Sequence, residues 1–227
     1  MDHWQRFTEE RGWYVRGRPV RVGPTGLPGT WRPSTPEFER LFPELAGLLR
    51  EAHVTPVHVA DTELVLFSWP ATDAFPAWLC HPPRREVELV LFPEHIELLH
   101  SFGGIVERSS ERLDSWMLNH DEVLTVGEAE GDASVLLDYD ALFPDERVPI
   151  DVTDYYCVAR ESNGNRTLCQ RNTGRVLLFA PDHCFEHVRP IPGCPEYTLY
   201  DLDGAPDFRR FVETLASQWR TGLSAES

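Results

Sequence analysis

Residues 150–180 read IDVTDYYCVARESNGNRTLCQRNTGRVLLFA, and the reading of this stretch decides the fold. β-Branched, aromatic and leucine residues gather in three runs, Tyr155 to Ala159, Arg166 to Gln170 and Arg175 to Ala180, each the length of a strand. Two compact turn signals separate them. In Glu161-Ser162-Asn163-Gly164-Asn165 the glycine is free to take positive φ and asparagine tolerates the left-handed region; Asn172-Thr173-Gly174 repeats the device. The spacing predicts a β-meander. Leu177, Leu178 and Phe179 are apolar without alternation, which places the third strand mid-sheet with both faces covered.

Working outward, Phe38, Leu41, Phe42, Leu45, Leu48, Leu49 and Ala52 recur at helical spacing between Pro36 and about His53, with Thr35 placed to cap. Pro43 lies too deep in that segment for one unbroken helix, so a helix that stops and restarts at Phe42-Pro43 is an equal alternative. Val54 to Val59 and Glu63 to Ser68 read as strands around Asp61-Thr62, and Pro70 to Pro83 as an irregular connection. Val87 to Phe92 reads as a short strand. Pro93 to Phe102 follows as a compact helix that Gly103-Gly104 closes, allowing a left-handed cap and a close backbone approach. Ile105-Val106, Trp116 to Leu118 and Val123 to Thr125 are further short strands or edges. Beyond the meander the pattern predicts a proline-rich loop from Pro181 to Pro195 and a strand from Tyr197 to Tyr200. A final helix starts near Asp203 or Pro206, burying Phe208, Phe211, Val212, Leu215 and Trp219, and Thr221 to Ser227 should fray.

A chain of 227 residues can bury roughly 70% of its unfolded surface in one core. One domain is therefore preferred over two, the alternative being a separate subdomain from residues 1–90. Residues 1–35 are expected to form a basic extension packed on the domain, which itself spans 36–227. The extension carries Arg6, Arg11, Arg16, Arg18, Arg21 and Arg32, and docking on an acidic face of its own domain is favoured over a nucleic-acid arm. The formal charge is −16, with 37 acidic residues against 21 basic ones. Such a balance repels nucleic acid and anionic membrane and favours a basic partner. Lysine is absent: every basic residue is arginine, which excludes phosphate-loop and Schiff-base lysine chemistry. The opening residues are polar where a signal peptide needs an apolar core, and no apolar run is long enough for a membrane span, so a cytoplasmic location is expected. Cys80, Cys157, Cys169, Cys184 and Cys194 lack framework spacing and read as reduced thiols.

Between Asp121 and Asp154 eleven acids are opposed only by Arg147, with Val135, Leu136, Leu137, Leu142 and Phe143 among them. That interleaving predicts a folded segment with its carboxylates outward. Glu128, Glu130, Asp132, Asp138, Asp140, Asp145 and Glu146 are the candidate partner-facing residues.

The helix ending in Phe102-Gly103-Gly104, the Pro149-Ile150 lead-in, the Asn163-Gly164 turn, the Asn172-Thr173-Gly174-Arg175-Val176 turn and strand, and the closing helix with Phe208, Phe211 and Val212 form an ordered pattern. In this order of elements the chain resembles the SUKH superfamily, which takes in yeast cell-wall regulators of the Smi and Knr type and bacterial immunity proteins. The likeness runs from about Leu91 to Trp219, and Phe102 stands where the family commonly has asparagine. The resemblance implies an α+β domain with a largely antiparallel sheet flanked by helices, acting by protein binding. It further implies a cytosolic immunity protein that neutralises a toxin domain, often of nuclease type, and the −16 charge makes a basic toxin met by an acidic surface the expectation; the alternative is an intracellular regulatory scaffold with no toxin partner.

Chemistry-bearing clusters are sparse, and neither an enzymatic activity nor a cofactor is expected. Asp182-His183-Cys184 with His187 and Cys194 lacks the second close pair that structural zinc requires, and no orienting partner for a Cys184 nucleophile can be assigned. His95 and His100 are five apart and do not share a helix face as a metal pair would. Asp138-Tyr139-Asp140 reads as solvated surface, and Trp69, Trp78 and Trp116 read as core aromatics.

Overall fold

A computed structural model describes residues 2–10, 13–33, 35–69, 75–88, 90–109, 122–123, 148–160, 165–181, 187–195 and 197–225. The strands are β1 (Val20–Val22), β2 (His53–Val59), β3 (Thr62–Ser68), β4 (Ala77–Cys80), β5 (Ile105–Ser109), β6 (Glu122–Val123), β7 (Tyr155–Arg160), β8 (Arg166–Gln170), β9 (Val176–Phe179), β10 (Val188–Pro190) and β11 (Leu199–Leu202). The helices are α1 (His3–Glu10), α2 (Pro36–Leu41), α3 (Pro43–Glu51), α4 (Pro93–Ser101) and α5 (Phe208–Ala225). The fold is α+β, with antiparallel sheets flanked by helices. One sheet runs β1-β2-β3-β4-β5; the other runs β10-β11-β9-β8-β7-β6, so β11 inserts between β9 and β10. No described helix is long and apolar enough to cross a membrane.

The predicted meander forms as β7, β8 and β9, with Thr167 opposite Leu178 and Leu168 opposite Leu177. The period of two divides β9 as expected: Leu178 joins the large helix-side core, while Leu177 and Phe179 pack with Tyr155, Leu168 and Leu199 on the opposite face. Gly174 takes φ +71° in the turn, where a Cβ would sit 2.6 Å from the Phe92 ring. The turn thus needs glycine for conformation and for space.

Pro43 does split the helical pattern. Thr35 caps α2 by accepting from the Phe38 N–H at 3.1 Å, Phe42 closes it, and α3 restarts with Pro43 in its first turn. α2 to α5 cover one side of both sheets. Phe38, Phe42 and Leu45 meet Phe208 and Phe211 there, while Trp69, Trp78 and Trp219 form an aromatic seam with ring centroids 5.0–5.8 Å apart. Trp69 and Trp78 are core residues, as expected; Trp116 lies outside the described residues. On the other face of the first sheet, α1 contributes Phe7 to a cluster with Val57, Leu66, Phe75 and Leu79, and β1 pairs with β2. Gly103 passes so close to the first sheet's approach that a Cβ would overlap the carbonyl oxygens of His81 and Pro82, and Gly104 takes φ +96°.

Several expectations are corrected. The segment expected as an irregular connection contains β4, whose four residues are all buried. A strand covered on both faces carries no alternation to reveal it. Val87 to Phe92 is no strand in its described part; instead the Arg171 guanidinium donates to the Val90 carbonyl, and Val90 is 75% exposed. The strand expected from Tyr197 begins at Leu199, because Tyr197 takes φ +62°. β10 lies within the expected proline-rich loop. Helix α5 continues to Ala225 through the residues expected to fray. The first-sheet strand begun at Ile105 runs on to Ser109, and β6 is Glu122–Val123.

Candidate protein-binding groove

A groove of about 740 Å³ opens where α3, α4 and α5 begin. Pro43 and Glu44 come from α3, Phe92 and Glu94 from the start of α4, and Thr173 from the β8–β9 turn. The groove-facing part of α5 and the residue before it supply Asp207, Arg209, Arg210, Glu213, Thr214, Ser217 and Gln218. Three helix starts bring backbone N–H groups and the positive ends of their dipoles together, which would ordinarily attract an anion. Here carboxylates already occupy two of those positions. Phe42 precedes α3 and has no capping oxygen in its side chain, so Glu213 reaches across from α5 and accepts from the Glu44 and Leu45 N–H groups at 3.0 and 3.2 Å. Asp207 accepts from the Arg210 N–H at 2.8 Å.

The guanidiniums in this region are partly committed. Arg209 Nε donates to the Leu41 carbonyl at 2.8 Å. Arg220 pairs with Glu51 at 2.5 Å and approaches Glu44 at 3.5 Å, clamping α5 to α3. Glu94 differs: among the described residues no hydrogen bond or ion pair reaches its carboxylate. Burial raises its pKa above the ordinary glutamate value, Arg209 and Arg40 draw it back, and the nearby Asp207 and Glu37 raise it further. Glu213 is also raised, chiefly by burial, against the two N–H groups that favour its charge.

Beneath the groove lies a buried polar seam. His95 of α4 stacks on Phe208 with centroids 4.5 Å apart and on Tyr156 at 5.6 Å. Its Nδ1 is 3.0 Å from the Tyr156 hydroxyl, which also accepts from the Phe92 N–H at 3.3 Å and bonds the Cys169 thiol. Because the Cys169 S–H donates to the Gln170 carbonyl at 3.8 Å, the sulfur is left to accept: the hydroxyl donates to sulfur, and Nδ1–H donates to the hydroxyl. His95 Nε2 is then a bare acceptor with no partner. Burial holds the His95 pKa down at about 3 and pushes the Cys169 thiol up to about 12, so both stay neutral and the thiol is poorly nucleophilic.

Glu128, Glu130, Asp132, Asp138, Asp140, Asp145 and Glu146 lie outside the described residues, as do His183, Cys184 and the Asn163-Gly164 turn. Cys80, Cys157 and Cys169 are buried free thiols, and Cys194 is a half-buried one. His95 and His100 diverge as the helical spacing required: His95 is in the core, while His100 is half-buried near Glu97. No group of three or more His, Cys, Asp or Glu residues suited to a metal ion occurs among the described residues. The groove carboxylates Glu94, Asp207 and Glu213 had no collective signal in the sequence, since they come from separate elements.

No family model matches this chain. No curated protein and no solved structure matches it either.

Proposed function

We propose that this chain is a protein-binding module that captures a basic partner, and that the partner is a toxin domain which it neutralises in the cytoplasm. One observation carries the reading: 37 acidic residues against 21 basic ones, for a formal charge of −16. A field of that sign accelerates encounter with a basic protein, and specificity then comes from contacts that exclude water. The described groove is consistent with this sign, with Glu44, Glu94, Asp207 and Glu213 against Arg209 and Arg210. The SUKH resemblance supplies the immunity role, and the candidate acids from Glu128 to Glu146 supply the steering surface.

The test is affinity capture of the tagged chain from its native cells, followed by a high-salt wash and direct binding of the purified partner. A basic toxin domain whose activity is blocked stoichiometrically, and which salt releases, is the expected result. Neutralising Glu128, Glu130, Asp132, Asp138, Asp140, Asp145 and Glu146 together should slow association and flatten its salt dependence. A non-basic partner, or affinity indifferent to both salt and these substitutions, would overturn the reading.

A further inference from the structure

We infer that the groove at the start of α3, α4 and α5 seats an arginine side chain from a basic segment of the partner, its guanidinium paired with Glu94 beside the Phe92 ring. This rests on the reading above that the partner is basic, and it assigns the specific contact to residues other than the acids at 128–146.

The groove's own chemistry selects the occupant. An anion would find the α3 and α5 starts already filled by Glu213 and Asp207. Glu94 is instead a half-buried carboxylate whose ionisation is opposed first by burial and then by Asp207 and Glu37, so a cation seated in the groove adds to the counter-charge that Arg209 and Arg40 supply only in part. Phe92 also lines the groove, and it is held from behind by Gly174, against which no side chain can intervene. A carboxylate beside an aromatic ring suits a planar guanidinium, which can make a forked hydrogen bond and lie over the ring together. Thr173, Thr214 and Ser217 add hydroxyl oxygens at the walls. An ammonium would gain the ion pair but not the fork.

The experiment uses the full chain and two fluorescent peptides alternating glycine with arginine or with lysine, titrated by anisotropy at low and physiological salt. The arginine peptide should bind more tightly than the lysine peptide. Glu94→Gln should weaken the arginine peptide roughly tenfold, as expected for losing one charge-assisted hydrogen bond. Phe92→Leu should weaken it several-fold and narrow the arginine preference. Asp61→Asn removes the same charge from an exposed turn elsewhere and should change binding less than twofold.

Equal losses from Glu94→Gln and Asp61→Asn would overturn the groove assignment and leave only the general field. If neutralising the acids at 128–146 weakens the peptide while Glu94→Gln does not, the basic-partner reading survives and the groove falls. If neither set matters, both fall. Near-ultraviolet circular dichroism of each variant separates lost binding from lost packing.

Discussion

Helix α5 is fastened at its two halves by seams of opposite character. Towards its far end Trp219 packs on Trp69 and Trp78, an all-indole contact in which only the Trp69 Nε1 finds a partner, the Leu48 carbonyl at 3.1 Å. At its start Phe208 lies against His95, which is hydrogen-bonded to Tyr156 and through it to Cys169. The first seam gains its stability from buried area and is indifferent to pH. The second contains a group that must stay neutral, and it underlies the groove. One helix thus joins a region that only holds with one whose buried polar group makes it sensitive to pH.

The strongest way to break this comparison is Trp219→Ala, which should cost about 3–5 kcal/mol in denaturant unfolding, by the same amount at pH 5 and pH 7. Gly103→Ala comes next, at roughly 2–3 kcal/mol, because backbone carbonyls cannot retreat as a flexible side chain could. A pH-dependent cost at Trp219 would mean that the seams are coupled.

His95 sharpens the contrast. In the unfolded chain it takes up a proton near pH 6.5, whereas in the fold it stays neutral to about 3. Between those values the unfolded state binds more protons, so stability falls as pH falls, by about 1.4 kcal/mol per unit once well below 6.5. Comparing wild type with His95→Phe in urea melts at pH 7.5 and pH 5 should show wild type losing roughly 2 kcal/mol more. Parallel pH profiles would reject a neutral buried imidazole.

Smaller effects belong to the groove. Glu213→Ala removes the borrowed cap of α3 and should cost about 1 kcal/mol by thermal or chemical unfolding. Glu94→Gln should leave stability unchanged or raise it by a few tenths of a kcal/mol at pH 7, once solvent screening is allowed for. The sign follows from its raised pKa: the charge is disfavoured in the fold, so its contribution worsens as pH rises from the ordinary glutamate value to that raised pKa and is constant above it. A clear loss of stability would give Glu94 a structural role.

The sequence was most legible where local rules and burial agree. Two glycine-marked turns and three β-rich runs were enough for β7 to β9, and Pro43 marked the helix break. It was least legible where distant residues decide the outcome. β4 shows four apolar residues with no period, and the described part of Val87 to Phe92 has strand-forming residues, yet its Val90 carbonyl accepts from the Arg171 side chain. The site followed the same division. Density of charge singled out Glu128 to Glu146, whereas Glu94 and Glu213 stand on two separate amphipathic helices. Only the packing of α3, α4 and α5 brings them to one groove.

The indole seam also has a consequence in time. Trp69 and Trp78 belong to the first sheet and Trp219 to the last helix, so this part of the core cannot close until nearly the whole described chain has been synthesised. Until then the nascent sheets present Phe67, Trp78, Tyr156 and Leu178 without their α5 cover. Long-range closure of this kind slows folding and leaves an apolar sheet face uncovered until α5 docks.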